Sequence, residues 1–222
     1  MMAGKARRPD AGGGMRRLLV TLFAIVAFAA FAQSAFASGP ALVFTGGTPE
    51  EQATVRSALG ASSFDWSLIP HVVSVHIGAY GDSYSTPGDV FLDAQLLDSG
   101  RFAWGVVQHE LAHQVDFFLL DDAKRATLLQ ALGGKDWCYG VAGLAHADYG
   151  CERFASELAW AYWQSPDNSM QPSDCGGESG GMPVAQFRTL LAGLIGAPAT
   201  TATPQTAKAY APKTTARPRR RR

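Results

Sequence analysis

The sequence predicts an α+β domain, and three observations carry that prediction. Short strand-like runs with period-two alternation fall in the first half of the domain, long helical segments fill the second half, and clusters of Gly, Pro and Ser separate them. The chain has 222 residues, 47% hydrophobic and 17% charged, which suits one ordinary globular domain with appendages.

The appendages lie at the two ends. A basic stretch ending in Met15-Arg16-Arg17 leads into LLVTLFAIVAFAAF and then QSAFA, whose small-x-small ending marks a signal peptide over residues 1–37. The apolar run, about 14 residues, is shorter than the roughly 20 needed to span a bilayer, so export is expected rather than a retained anchor. At the other end, residues 197–222 are rich in Pro, Thr and Ala and hold seven basic residues and no acid. Such a segment reads as disordered, and its terminal RPRRRR either contacts an anionic surface or stays solvated with no specific partner. Between them, residues 38–196 hold 7 Lys+Arg against 18 Asp+Glu, a net −11. That balance argues against a specific nucleic-acid face on the folded part.

The elements follow in order. ALVFTGG is a short strand and turn, and Thr48-Pro49-Glu50-Glu51 opens a helix with an N-cap, a proline at the first helical position and a capping-box Glu. That helix should end near Gly60. HVVSVHIGAY alternates Val73, Val75 and Ile77 with Val72, Ser74 and His76, the pattern of a strand. After a Gly, Ser and Pro loop, Gly88 to Leu97 (GDVFLDAQLL) is another strand candidate. A long apolar helix runs from Arg101 to about Leu120, and DDAKRATLLQAL forms a second helix that Gly133-Gly134 ends. Residues 134–150 read as loop, CERFASELAWAYW as helix, 165–181 as loop and PVAQFRTLLAGLIG as a final helix with Val184, Phe187, Leu191 and Leu194 on one stripe.

Three cysteines are present, Cys138, Cys151 and Cys175, without any CxxC spacing. In an oxidising compartment one disulfide and one leftover thiol are expected, with Cys138–Cys151 preferred because it braces the intervening loop.

The segment VVQHELAHQVDFF, Val106 to Phe118, carries the chemistry. On a helix His109 and His113 lie about 40° apart on one face, with Asp116 about 20° to the other side of His109. The rest of the helix is apolar nearly all round, so these groups are headed for burial, which costs several kcal/mol without partners. A metal ion is such a partner, and two His one turn apart suit zinc. Glu110 is then within reach of a water on that ion and fits the role of general base. A hydrolytic site needs a third ligand. His71, His76 and His146 are candidates without special claim, and the following helix offers Glu152 and Glu157, about 140° apart, so that both cannot face one ion.

Together, HELAHQVD (His109 to Asp116) and YGCERFASELAW (Tyr149 to Trp160) resemble the zincin metallopeptidases of gluzincin type, in particular the anthrax lethal factor-like catalytic domain. In that family an HExxHxxD helix precedes a helix bearing E-x-F-A. The resemblance implies a zincin-like fold: a small mixed or antiparallel sheet packed on the active-site helix, with a mainly helical C-terminal half over residues 38–196. It also implies Zn2+ held by His109, His113 and Glu152, which decides against Glu157. Glu110 would be the base, and Tyr149 of Tyr149-Gly150 would stabilise the oxyanion. The spacer between Tyr149-Gly150 and Glu152 is shorter than the family pattern, which leaves His146 and Tyr139 open for that role. Asp116 matches the family's Asp, expected to orient a ligand or a backbone group, and Glu157 is expected to be a solvent-side or structural acid. The strand just before the HExxH helix, here Gly88 to Leu97, would be either the edge that takes a peptide as an added strand or simply a core strand. The function implied is a secreted metallopeptidase acting on a peptide or protein substrate. The other readings are a non-catalytic zinc-binding surface module and a zinc hydrolase acting on a cell-wall amide.

Overall fold

Local signals in the sequence build the first half of the domain. The structure, a computed structural model, describes residues 40–196, so the expected signal peptide (1–37) and basic tail (197–222) lie outside the described residues. Strand β1 (Leu42–Gly46) runs into helix α1 (Pro49–Ala61). Thr48 Oγ1 accepts from Glu51 N, and Thr48 N donates back to the Glu51 carboxylate, closing the capping box. Next come β2 (Val73–Gly78), β3 (Tyr84–Thr86) and β4 (Asp89–Asp93). Strand order is β1-β2-β4-β3, with β1, β2 and β4 parallel and β3 antiparallel to β4. A mixed sheet results because α1 carries the chain back to start β2 beside β1, whereas the tight turn at Gly88 reverses β3 into β4.

The period-two alternation of β2 decides which face is buried. Val73, Val75 and Ile77 enter the core with Val90 and Leu92 of β4, and His76, Phe91 and Tyr84 stack in one row across the opposite face. One expectation changes here. The strand from Gly88 stops at Asp93, because the Asp93 carboxylate accepts from Leu96 N and starts the short helix α2 (Ala94–Leu97). Of its two expected places it takes the core-strand one: β4 pairs on both sides, and the edge next to it is β3.

Helices make up the second half: α3 (Phe102–Leu119), α4 (Asp122–Leu132), α5 (Gly150–Tyr162) and α6 (Val184–Ile195). Helix α3 is the centre of the molecule, packed against α5, α1 and the sheet, which is why it is apolar nearly all round. Gly133, at φ 72°, caps α4 in the left-handed region. Gly150 opens α5 where no side chain fits, since a Cβ there would lie 2.8 Å from Leu129 Cδ1 and from the Trp137 ring. Among the described residues no helix is long and apolar enough to cross a membrane.

Candidate metal centre

The i, i+4 spacing on α3 brings His109 and His113 to the face that meets α5, where Glu152 stands in the first turn. His109 Nε2 is 3.1 Å from Glu152 Oε2 and 3.2 Å from His113 Nε2, and His113 Nε2 is 3.4 Å from Glu152 Oε2. All three residues are buried, at 6%, 7% and 4% exposure. Donors about 2.0–2.1 Å from a tetrahedral ion stand roughly 3.3 Å from one another, so the trio has the spacing of three tetrahedral ligands. These atoms are close enough to bind a metal ion.

Charge distribution favours a cation at the same place. Burial alone would raise the Glu152 carboxyl, but hydrogen bonds and charge from His109 and His113 hold it well below the usual carboxylate range. Burial would likewise lower His109, yet the Glu152, Glu110 and Glu178 carboxylates raise it overall. Three carboxylates, those of Glu152, Glu110 and Glu178, thus act on the His109 ring.

Other sequence candidates sort by what they touch. Glu110 is buried next to the trio, and the Ser85 hydroxyl on β3 lies 2.9 Å from both its main-chain oxygen and its Oε2. Tyr149 is not turned to the trio, because its hydroxyl donates to Val141 O at 2.7 Å inside the loop. Tyr139 takes that place: its hydroxyl donates to Glu152 Oε1 at 2.9 Å, and its side chain is more than half exposed. Tyr139 adopts φ 56°, a left-handed conformation rare outside glycine, next to Cys138. Cys138 and Cys151 form the expected disulfide, which ties this loop to the residue before Glu152 and leaves Cys175 as the free thiol.

His146 stands at the rim. Its Nδ1 is 2.6 Å from Glu178 Oε1 and its Nε2 is 3.4 Å from Glu152 Oε2, but it is outside the mutually close trio. The Glu178 carboxylate raises the His146 pKa in spite of burial. His71 packs at a tilt against Phe118, and His76 pairs with Asp89 on the outer face of the sheet, so neither joins the trio.

Asp116 departs from its expected role, and Glu157 takes one of the two expected for it. The Asp116 carboxylate touches no ligand; it accepts from Arg125 Nε at 2.7 Å and Trp137 Nε1 at 3.1 Å, joining α3 to α4 and to the loop after it. Glu157 is structural but not solvent-side: it is fully buried, and its Oε2 accepts from Gly180 N and Gly181 N.

Sequence reasoning passed over Ser156, Glu178 and Ser85. Ser156 Oγ is 3.0 Å from His109 Nδ1 and donates to Glu178 Oε2 at 2.9 Å. Its signal was present, since it lies four residues after Glu152 and so shares its helix face. Glu178 and Ser85 sit in aperiodic Gly and Ser stretches that hold no such signal. No family model, no curated protein and no solved structure matches this chain.

Proposed function

We propose that the protein is an exported zinc-dependent metallopeptidase, with His109, His113 and Glu152 as ligands and Glu110 as general base. The observation that carries this reading is the buried trio, two imidazole nitrogens and a carboxylate oxygen 3.1–3.4 Å apart, with a carboxylate next in sequence to the first histidine. Mixed nitrogen and oxygen donors favour zinc over calcium or magnesium, which take oxygen ligands. Zinc at such a centre supplies Lewis acidity and brings the pKa of a bound water towards about 7.

The chain's own groups supply the rest. Glu110, fixed by the Ser85 hydroxyl, takes the proton of the attacking water and returns it to the leaving nitrogen. The Tyr139 hydroxyl, already directed at Glu152, is the donor we assign to the developing oxyanion, with His146 beside it. The Tyr149 hydroxyl is engaged by Val141 O, which disfavours it for that role. Strand β3 ends the sheet and holds Glu110 through Ser85, so its open edge is the rail we assign to a peptide substrate. An exported setting is supported by the disulfide.

The test is zinc-loaded protein incubated with a diverse peptide library and read by mass spectrometry. Glu110→Gln should keep zinc and lose about 100-fold or more of the hydrolysis, and His113→Ala should lose both. Full cleavage by Glu110→Gln would overturn the mechanism. An intact library with cleaved cell-wall fragments would move the substrate to a cell-wall amide, and bound zinc without any cleavage would leave a binding module.

A further inference from the structure

Two polar chains meet at Glu178, on the loop between α5 and α6. Its Oε1 is 2.6 Å from His146 Nδ1, and its Oε2 accepts from Ser156 Oγ at 2.9 Å. Ser156 in turn stands 3.0 Å from His109 Nδ1 and is completely buried. Met170 Sδ, a weak acceptor, also lies 3.4 Å from its hydroxyl.

Ser156 has one proton to give, and where it goes decides the state of His109. Donated to the Glu178 carboxylate, a charge-assisted bond, it leaves the oxygen lone pairs of Ser156 to accept from His109 Nδ1–H. His109 Nε2 then keeps its lone pair, the state a metal ligand requires. Without Glu178 the hydroxyl is free to turn and donate to Nδ1. The ring proton would then sit on Nε2, aimed at Glu152 Oε2 only 3.1 Å away, and the ring would be closed to a cation.

We infer that Glu178 is a positioning residue for the metal centre, setting the tautomer of His109 through Ser156 and orienting His146 directly. This rests on the trio being a metal site, as proposed above. The loop is built to deliver that carboxylate. Glu157 accepts from the main-chain N–H groups of Gly180 and Gly181, and Arg153 donates to Gly177 O at 3.1 Å, so the backbone is tied down on both sides of Glu178.

The experiment measures zinc affinity by chelator competition, together with the His109 Nδ1–H proton signal in the zinc-loaded protein. Ser156→Ala and Glu178→Ala should each weaken zinc about 10- to 100-fold, and the double variant should bind no more weakly than the worse single one, because both act through one chain. The Nδ1–H signal should lose its hydrogen-bonded shift and its protection from exchange in both variants. His146→Ala should retain affinity within about threefold and keep that signal, which separates the path through Ser156 from the one through His146. Wild-type affinity and an unchanged Nδ1–H signal in Glu178→Ala would overturn the inference, as would losses that multiply in the double variant. A wild type that takes up no zinc would sink the functional reading itself, and this inference with it.

Discussion

Glu152 and Glu157 lie five residues apart on α5, both buried, yet their surroundings pull their carboxyls in opposite directions. Two histidines outweigh burial at Glu152, whereas burial outweighs the Gly180 and Gly181 N–H groups at Glu157 and raises it, with Oε1 left without a partner among the described residues. A raised acid favours its protonated form in the fold. Its stabilising effect is therefore complete below the ordinary value of 4.5 and is lost as the pH rises through the folded value. Glu157→Gln removes that loss, so its melting temperature should gain progressively on the wild type over the pH range above that ordinary value. A difference that stays constant across this range would refute the assignment. At this scale the sequence revealed His109, Glu110 and His113 by spacing alone, since a helix turn fixes which residues share a face. It did not single out Tyr139 over Tyr149, because that choice depends on a left-handed turn at Tyr139 and a disulfide that folds the loop back.

Among the elements, α3 and the loop after α5 are fitted to each other at Gly105. A Cβ there would lie 2.5 Å from Ser169 Oγ and 2.9 Å from Ser169 N, while the Ser169 hydroxyl donates to Phe102 O at 3.0 Å. Gly105→Ala should cost about 1–3 kcal/mol in urea unfolding, the range for overpacking a tight site. It should also weaken zinc binding, because the same loop carries Glu178. A variant as stable as the wild type would mean that the loop yields freely. The helices were legible from different signals: a capping box opens α1, glycines end α4 and α6, an apolar stripe marks α6, and α3 is a long apolar run. Strand β3 was not legible: three residues between Gly, Ser and Pro show no period, and they form a strand because β4 offers Val90 and Phe91 for pairing. For the same reason Gly88 to Leu97 looked continuous, although Asp93 divides it by capping α2.

Over the whole molecule, the candidate ligands come from two helices far apart in sequence, and an ion held between α3 and α5 would join them. Ligand bound only by the folded state adds stability by mass action, about 2.7 kcal/mol at a free concentration 100 times Kd. For a domain of this size that corresponds to a rise in Tm of roughly 5–10 °C on adding zinc, reversed by a chelator. Calorimetry with His113→Ala as control would measure it, and an equal rise in the control would place the ion elsewhere. The α+β class was legible at this scale because order and period of the elements are sequence properties. A mixed sheet was one of the two forms the resemblance implied, but the strand order was not legible, since parallel pairing of β1, β2 and β4 depends on how α1 returns the chain. The Cys138–Cys151 bond adds an element of timing. It binds the loop bearing Tyr139 to the residue beside Glu152, so a newly made chain in a reducing compartment would carry that corner of the site untied. Oxidation would complete it, so under the proposed function the oxidised chain should be the more active and the reduced chain the less active form.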